Sequence, residues 1–423
     1  MILNISIENF KSICHKKVLN FISNSDKEHS NSLLKSDKIE QNILPALAIY
    51  GANSAGKTNL LHAFSMFKLL INESIIKQEG DKISHSPFKI DETYLSKPTT
   101  LEVLFLYGGV KYFYGFSYDK WQILEEFLYY YPNNKQATIF ERVKNKYTFT
   151  NDKTELNVLS KRTLKNRLFF STASEWNYEK IKRPFRYLKE SIVIYDNYKA
   201  EEESWKKYTF KRIKEDVNFK NKILQILNDI DSDILDISVE IEKMTFNESN
   251  LPNDLPKEIR EMFINKEGEA SKIRTTHIGK DINGNATNIS FSLQEESRGI
   301  NKFLELIGPW IDILEKGKCL IIDEIESSLH PFIVKYLIDM FMNPAINKNN
   351  AQIVYSTHNT SLLNLDHIRR DQIWLVEKDH SNMSDIYSLS DLKGIRKDEN
   401  IQKGYLRGKY GAIPLLKCNL EDI

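Results

Sequence analysis

The sequence predicts an α/β fold, and three features indicate it. The apolar run ALAIY, 46–50, leads into the glycine-rich stretch GANSAGKT, after which apolar residues recur at helical spacing. A second apolar run, CLII at 319–322, ends in two acidic residues. Between these runs lie alternating aromatic and β-branched segments that predict an antiparallel meander. We therefore expect two buried core strands that are separated in sequence by a β meander and an inserted lobe.

The glycine-rich stretch has the spacing of a phosphate-binding loop, G-x-x-x-x-G-K-[ST]. Its glycines let the backbone curl so that N–H groups point at phosphate oxygens. Lys57 is expected to reach the β- and γ-phosphates of a nucleotide and Thr58 to bind Mg²⁺. A chance glycine turn is disfavoured because a strand and a helix flank the loop. The predicted nucleotide-binding residues here are Gly51, Asn53, Ser54, Ala55, Gly56, Lys57, Thr58 and Asn59.

The downstream strand reads CLIIDE, and its two acids suit nucleotide hydrolysis. Asp323 at the strand tip is expected to hold Mg²⁺, and Glu324 to orient and deprotonate the attacking water. The alternative is a strand end whose acids only cap a loop. A further apolar strand, AQIVYSTHN, ends at His358. Before the acidic strand, ESRG places Ser297 and Gly299 at the start of an apolar-periodic helix, where Ser297 is otherwise an ordinary helix cap.

These motifs, in this order, resemble the ABC-type ATPases of the OLD-like (overcoming lysogenization defect) and bacterial abortive-infection group. The string DEIESSLHP is close to that group's pattern, and the opening ISIENFKSI is similar to the start of SMC and RecF ATPases. The resemblance implies a P-loop NTPase fold of the ABC/SMC type. It also implies that His358 contacts the γ-phosphate, and that Ser297 and Gly299 form a signature that binds ATP held by the other subunit.

The resemblance implies a molecular switch that binds and hydrolyses ATP with Mg²⁺. Two subunits would form a homodimer, or a higher homo-oligomer, with composite sites. Such ATPases are similar to components of anti-phage defence that control a separately encoded effector, such as a nuclease or toxin. The alternative function is a RecF- or SMC-like ATPase of DNA repair, which leaves nucleic acid open as a partner.

Two departures limit the resemblance. OLD nucleases carry a Toprim domain after the ATPase, and the stretch after His358 is too short for one. SMC proteins carry a long coiled coil between the two motif halves, and no sustained heptads occur here. We therefore expect an ATPase with neither a Toprim domain nor a long coiled coil.

The predicted organisation has three parts. Residues 1–194 form the N-terminal half of the ATPase core, with the phosphate loop and the meander. Residues 195–285 form an inserted helical or α+β lobe, with a hairpin around DINGN. Residues 286–423 hold the signature, the acidic strand, His358 and a C-terminal tail. The polar stretch 24–41 is expected to be a mobile loop.

Three segments have open interpretations. The meander aromatics favour a packed core over a base-stacking surface. Basic residues cluster in LSKRTLKNRL and YEKIKRPFRYLKE, as solvated helix faces or as a docking face for nucleic acid or an effector. The segment GYLRGKYGAIP is either a docking element or a tail that closes the core.

Composition narrows the class of protein. Lys and Arg total 59 and Asp and Glu total 58, which argues against a purely electrostatic nucleic-acid coat. The three cysteines have neither disulfide nor zinc spacing. The start lacks signal-peptide features and no apolar run approaches a membrane span. We expect a cytoplasmic protein without membrane contact.

Overall fold

The computed structural model describes residues 1–36, 38–196, 199–230, 233–245, 260, 264, 267–396 and 399–414. The chain divides into two compact units. The first comprises Met1–Asn197, Ile313–Ser327 and Val334–Ile423, and the second comprises Tyr198–Asp312 and Ser328–Ile333. The second unit thus includes residues 286–312, which the sequence analysis assigned to the C-terminal half of the core.

The described elements are as follows. The strands are Ile2–Glu8 (β1), Lys17–Asn20 (β2), Ala46–Gly51 (β3), Thr99–Tyr107 (β4), Val110–Tyr118 (β5), Ile123–Tyr130 (β6), Ala137–Val143 (β7), Lys146–Phe149 (β8), Ile192–Tyr195 (β9), Asp236–Thr245 (β10), Glu267–Lys280 (β11), Ala286–Ser292 (β12), Cys319–Ile322 (β13), Gln352–Ser356 (β14), Ile373–Lys378 (β15) and Ser384–Ser388 (β16). The α-helices are Lys57–Glu73 (α1), Lys153–Arg162 (α2), Phe169–Glu175 (α3), Glu179–Ser191 (α4), Lys199–Glu215 (α5), Val217–Asp229 (α6), Arg298–Lys316 (α7), Pro331–Met342 (α8) and Ile401–Leu406 (α9).

The core sheet of the first unit has the order β16-β15-β3-β14-β13-β9. Every pair in it is parallel except β15 with β16. All residues of β3, β13 and β14 are buried, which explains their continuous apolar runs. β14 therefore separates the phosphate-loop strand from the acidic strand, and the carboxyl ends of all three meet at one edge. The α/β class is confirmed.

The meander forms a second, antiparallel sheet of order β2-β1-β4-β5-β6-β7-β8. Its aromatics pack inward: Tyr114 and Phe116 are buried, and the Tyr114 ring stacks on Phe170 with centroids 4.1 Å apart. Phe116 also stacks on Phe67 of α1. The core interpretation is confirmed for Tyr114 and Phe116, whereas Tyr107 at the end of β4 is exposed.

The second unit contains α5, α6 and the sheet β10-β11-β12. β11 and β12 form the predicted hairpin, in which the Asp281 carboxylate accepts the N–H groups of Asn283 and Asn285. Gly284 supplies the positive φ of this turn. Within the same unit, Gly308 of α7 lies against Thr209 of α5, where an added Cβ would be 2.2 Å from the threonine Oγ1.

A buried arginine anchors the beginning of the stretch that was predicted as a mobile loop. Arg369 donates to the carbonyls of Asp26 and Glu28 and to Asn24 Oδ1. Its guanidinium also pairs with Asp371, 2.8 Å away. The sequence analysis missed this anchor because Arg369 lies far away in sequence.

Candidate functional site

The phosphate loop joins the end of β3 to the start of α1 in a geometry that requires glycine. Gly56 has φ of +117°, and a Cβ there would lie 2.2 Å from Ser384 Oγ. Among the described residues, no backbone carbonyl accepts the main-chain N–H of Gly56, Lys57 or Thr58. These donors at the helix N-terminus are therefore available to an anion. Asn53, Ser54 and Thr58 are exposed on the same loop.

Lys57 is buried and folds back onto the loop. Its Nζ donates to the carbonyls of Gly51 at 2.9 Å and Ala52 at 3.2 Å. Burial lowers the pKa of Lys57, and the carboxylates of Asp323, Glu324 and Glu326 oppose that shift. The Lys57 ammonium is therefore close enough to the carboxylates that follow β13 to interact with them electrostatically.

Two serines that the sequence analysis did not single out hold the loop from behind. Ser384 Oγ donates to the Ala55 carbonyl at 2.6 Å and contacts Ser12 Oγ at 2.8 Å. Ser12 Oγ also accepts the side-chain amide of Asn59 at 2.7 Å. Ser12 belongs to the NFKS stretch, which was noted only as part of a family opening. We name Ser12 and Ser384 the serine clamp.

A cleft of about 390 Å³ adjoins the serine clamp and Asn59. Lys11, Lys89 and Lys378 line it together with Phe88. Its three lysines suit a negatively charged ligand beside the loop.

Ser356 fixes the acidic strand end. It is fully buried at the tip of β14, donates a hydrogen bond to Asp323 Oδ1 and accepts the Glu324 N–H at 2.8 Å. Glu324 has a left-handed φ of 47°, which turns the chain sharply after β13. Its side chain is exposed and has no hydrogen-bond partner among the described residues. The carboxylate is therefore free to contact a substrate.

Glu326 positions the loop that carries His358. Its Oε1 accepts the His358 N–H at 2.5 Å. Its Oε2 is buried with no hydrogen-bond partner in the described part of the chain. The His358 side chain itself is exposed. The sequence left open whether Glu326 supports the site or caps a helix, and the structure shows that it contacts the main chain of His358.

A further acid, Asp196, was missed by the sequence analysis. β9 pairs with β13 in a register that sets Tyr195 opposite Ile322, so Asp196 and Asp323 follow the ends of adjacent strands. Burial and the Asp323 charge raise the pKa of Asp196, while Lys11 opposes the shift. The signal was present: IVIYD, like CLIID, is an apolar run that ends in aspartate.

Ser297 and Gly299 lie in the second unit, at the start of α7. Ser297 Oγ accepts the Ile300 N–H at 3.2 Å, as a helix cap does. The nearest heavy atom to a Cβ added at Gly299 is the Ser328 carbonyl oxygen at 3.6 Å. Gly299 is therefore not required by packing of the described residues around it.

The described part of GYLRGKYGAIP closes the core beside the phosphate-loop strand. Tyr405 packs edge-on against Tyr50, which directly precedes the loop, with centroids 5.9 Å apart. The Ala412 N–H donates to Glu377 on β15 at 2.9 Å. The structure favours the structural interpretation of this tail over the docking element.

The comparison with protein families assigns the chain. Residues 47–364, from the phosphate-loop strand to just beyond His358, match the family described as "AAA domain, putative AbiEii toxin, Type IV TA system". The chain belongs to this AAA domain family. Among the residues that the structure describes, no helix of this AAA domain is long and apolar enough to cross a membrane.

The AAA domain was also compared with solved structures and curated proteins. One structure is an SMC head bound to the C-terminal winged-helix domain of ScpA, with 14% identity, 92% coverage of this chain, 97% of that chain and a TM-score of 0.33. Another is the Smc head with an extended coiled coil bound to the C-terminal domain of ScpA, derived from Pyrococcus furiosus. It has 14% identity, 92% and 96% coverage, and a TM-score of 0.31. No curated protein matches the chain.

Proposed function

We propose that this AAA domain binds ATP with Mg²⁺ and hydrolyses it to ADP and phosphate. One observation carries the proposal: the phosphate loop, Asp323 with Glu324, and His358 follow the carboxyl ends of β3, β13 and β14, which are parallel and adjacent in the order β3-β14-β13. Neighbouring strands are about 4.8 Å apart, so their ends form a single site. Family membership supports the same chemistry.

The loop supplies the anion-binding part of this site. The N–H donors of Gly56, Lys57 and Thr58 would face the β- and γ-phosphates. The Lys57 ammonium would leave the Gly51 and Ala52 carbonyls for phosphate oxygens. The basic cleft beside the serine clamp takes the nucleoside part. Asn59 serves mainly to hold Ser12.

The exposed Thr58 hydroxyl and the Asp323 carboxylate offer the oxygen ligands that Mg²⁺ prefers, so the residues fit the ion. Bound there, Mg²⁺ neutralises charge on the phosphates. Ser356 holds Asp323 in place, and Asp196 adds a second carboxylate next to it.

Glu324 acts as the general base. Its carboxylate has no partner among the described residues, so it can accept a proton from the attacking water. His358, presented by Glu326, contacts the γ-phosphate during attack. These side chains come from separate strands, so the sheet fixes their spacing.

We propose further that two copies close over two ATP molecules. Ser297 and Gly299 of one copy would then contact the γ-phosphate held by the other. Ser297 is exposed and Gly299 has room for an added Cβ, which supports a surface kept small for a partner. We propose that this cycle is a switch that controls a separate effector in abortive infection. The family's description, a putative toxin of a toxin–antitoxin system, supports a role in such a system.

The test is the solution mass of Glu324→Gln, measured by light scattering after gel filtration, with and without ATP and Mg²⁺. The variant should bind ATP without turnover and double in mass. Lys57→Ala should neither bind nor associate, and Ser297→Arg should bind ATP as a monomer.

Each result bears on a different part of the proposal. Equal ATP affinity in wild type and Lys57→Ala would refute the nucleotide site. ATP binding by Glu324→Gln without a change in mass would refute the composite dimer and leave the ATPase standing. A chain that co-purifies from the native operon and leaves upon hydrolysis would be the effector.

A further inference from the structure

A cleft lies on the first unit at a basic cluster that the proposed ATP site does not use. It has a volume of about 530 Å³ and is formed by the β4–β5 hairpin and α4. Tyr107, Tyr112, Lys182, Arg183 and Arg186 line it. We name it the tyrosine–arginine cleft. Its size is within the range of sites for small ligands.

A stack of aromatic rings holds Tyr107 in place and leaves one face of its ring open to the cleft. Tyr107 is 38% exposed and stacks on Tyr187 with centroids 4.8 Å apart. Tyr187 in turn stacks on the buried Phe105 at 5.3 Å, and Phe105 stacks on Tyr112 at 5.4 Å. Because Tyr187 already holds the Tyr107 ring in place, Tyr107 would lose little conformational freedom when a ligand ring stacks on its exposed face.

The charge of the cleft is positive. Glu179 is the one acid in its lining and already contacts Lys182 at 3.5 Å and Arg183 at 3.6 Å. Arg186 is exposed and has no ion-pair partner in the described part of the chain. Lys182 and Arg186 are four residues apart on one helix, so their Cα atoms are about 6 Å apart along its axis. The lining therefore presents a short row of cations beside an aromatic face.

A flat aromatic face next to arginines favours anionic ligands that also carry a flat ring. Single-stranded nucleic acid combines unpaired bases, which stack on aromatic side chains, with phosphates, which arginine binds bidentately. A duplex keeps its bases stacked and offers this cleft only a backbone. An acidic peptide supplies charge but no base to stack.

We propose that the tyrosine–arginine cleft binds single-stranded nucleic acid, with a base stacked on Tyr107 and adjacent phosphates held by Arg183 and Arg186. This binding uses residues outside the ATP site and requires no hydrolysis. DNA and RNA share this chemistry, so both must be tested.

The experiment measures fluorescence anisotropy of labelled 15-nucleotide oligo-dT and oligo-U with the full chain at several salt concentrations, without ATP. Tyr107→Ala should weaken binding roughly tenfold, while Tyr107→Phe should stay within about twofold. Arg186→Ala should weaken binding and reduce the slope of log affinity against log salt by about 0.7. Lys393→Ala removes the same charge at an exposed position outside the cleft and is the matched control.

The outcomes separate the occupants. Loss of binding in Tyr107→Ala and Arg186→Ala, but not in Lys393→Ala, supports the proposal. The oligonucleotide that binds more tightly shows whether the cleft prefers DNA or RNA. The proposal is overturned if wild type binds neither strand at low salt, or if all variants bind alike. It is also overturned if polyglutamate competes fully and Tyr107→Ala has no effect, because the occupant would then be an acidic protein segment. Unchanged ATP turnover in Tyr107→Ala shows that the variant is folded.

Discussion

The carboxylate of Glu326 accepts the main-chain N–H of His358 at 2.5 Å, across 32 residues of sequence. The contact links the turn after β13 to the turn after β14. The base and the histidine of the proposed site are thus positioned by a residue that need not touch ATP.

Glu326→Ala should lower ATP turnover by about tenfold to a hundredfold, because His358 would lose the contact that places it. Nucleotide affinity should change by less than about twofold, since the phosphate loop is untouched. Steady-state phosphate release and binding of a fluorescent ATP analogue measure the two effects. Glu326→Gln keeps an oxygen acceptor and should retain most turnover. Equal loss in both variants would show that the charge, rather than the hydrogen bond, matters.

Ser356→Ala should reduce turnover more than affinity and should also destabilise the fold. Asp323 would lose its donor, and the Glu324 N–H would lose its acceptor at a cost of about 1–3 kcal/mol. Urea unfolding and phosphate release check both effects. Ser361→Ala, at an exposed hydroxyl that contacts only Asn359 among the described residues, should behave as wild type. Full turnover in Ser356→Ala would contradict this role.

Lys57→Met should abolish ATP binding yet unfold no earlier than wild type at pH 7 without nucleotide. Burial lowers the folded-state pKa of Lys57 below its usual 10.5, so the charged form costs stability below that lowered value. Between the lowered pKa and 10.5 the unfolded chain binds more protons, and wild-type stability rises with pH. The advantage of Lys57→Met should therefore shrink over that window. Thermal unfolding from pH 7 to 10 measures it, with Lys393→Met as control. Earlier unfolding of Lys57→Met at pH 7 would contradict the argument.

Two glycine substitutions should differ in their effect on the fold. Gly56→Ala forces a Cβ to within 2.2 Å of Ser384 Oγ at a positive φ, so ATP affinity and stability should both fall. Gly299→Ala meets its nearest atom at 3.6 Å and should leave monomer stability and ATP affinity intact. Calorimetry with and without ATP distinguishes the two variants. If Gly299→Ala still associates upon ATP binding, a one-carbon addition is tolerated at the proposed interface.

The sequence predicted the parts of the site whose residues are close neighbours in the chain. The phosphate loop and the acidic strand each lie within a dozen residues, so spacing alone indicates their chemistry. Ser356 and the serine clamp act through partners 32 to 372 residues away, and a common residue type gives no local signal of such pairing. The anchoring of the 24–41 stretch by Arg369 was missed for the same reason. Asp196 is a different case from these residues, because the apolar run IVIY and the aspartate after it do give a local signal in the sequence.

The serine clamp has a consequence for biosynthesis. Ser384 binds the Ala55 carbonyl across 329 residues, and β3 lies between β14 and β15, which both follow it in sequence. A ribosome releases the phosphate-loop sequence well before Ser384, so its back support is missing until 329 further residues have been made. Nascent chains should therefore not bind ATP until β15 and β16 pack against the rest of the core sheet. Fragments truncated before Ser384 should not bind ATP either.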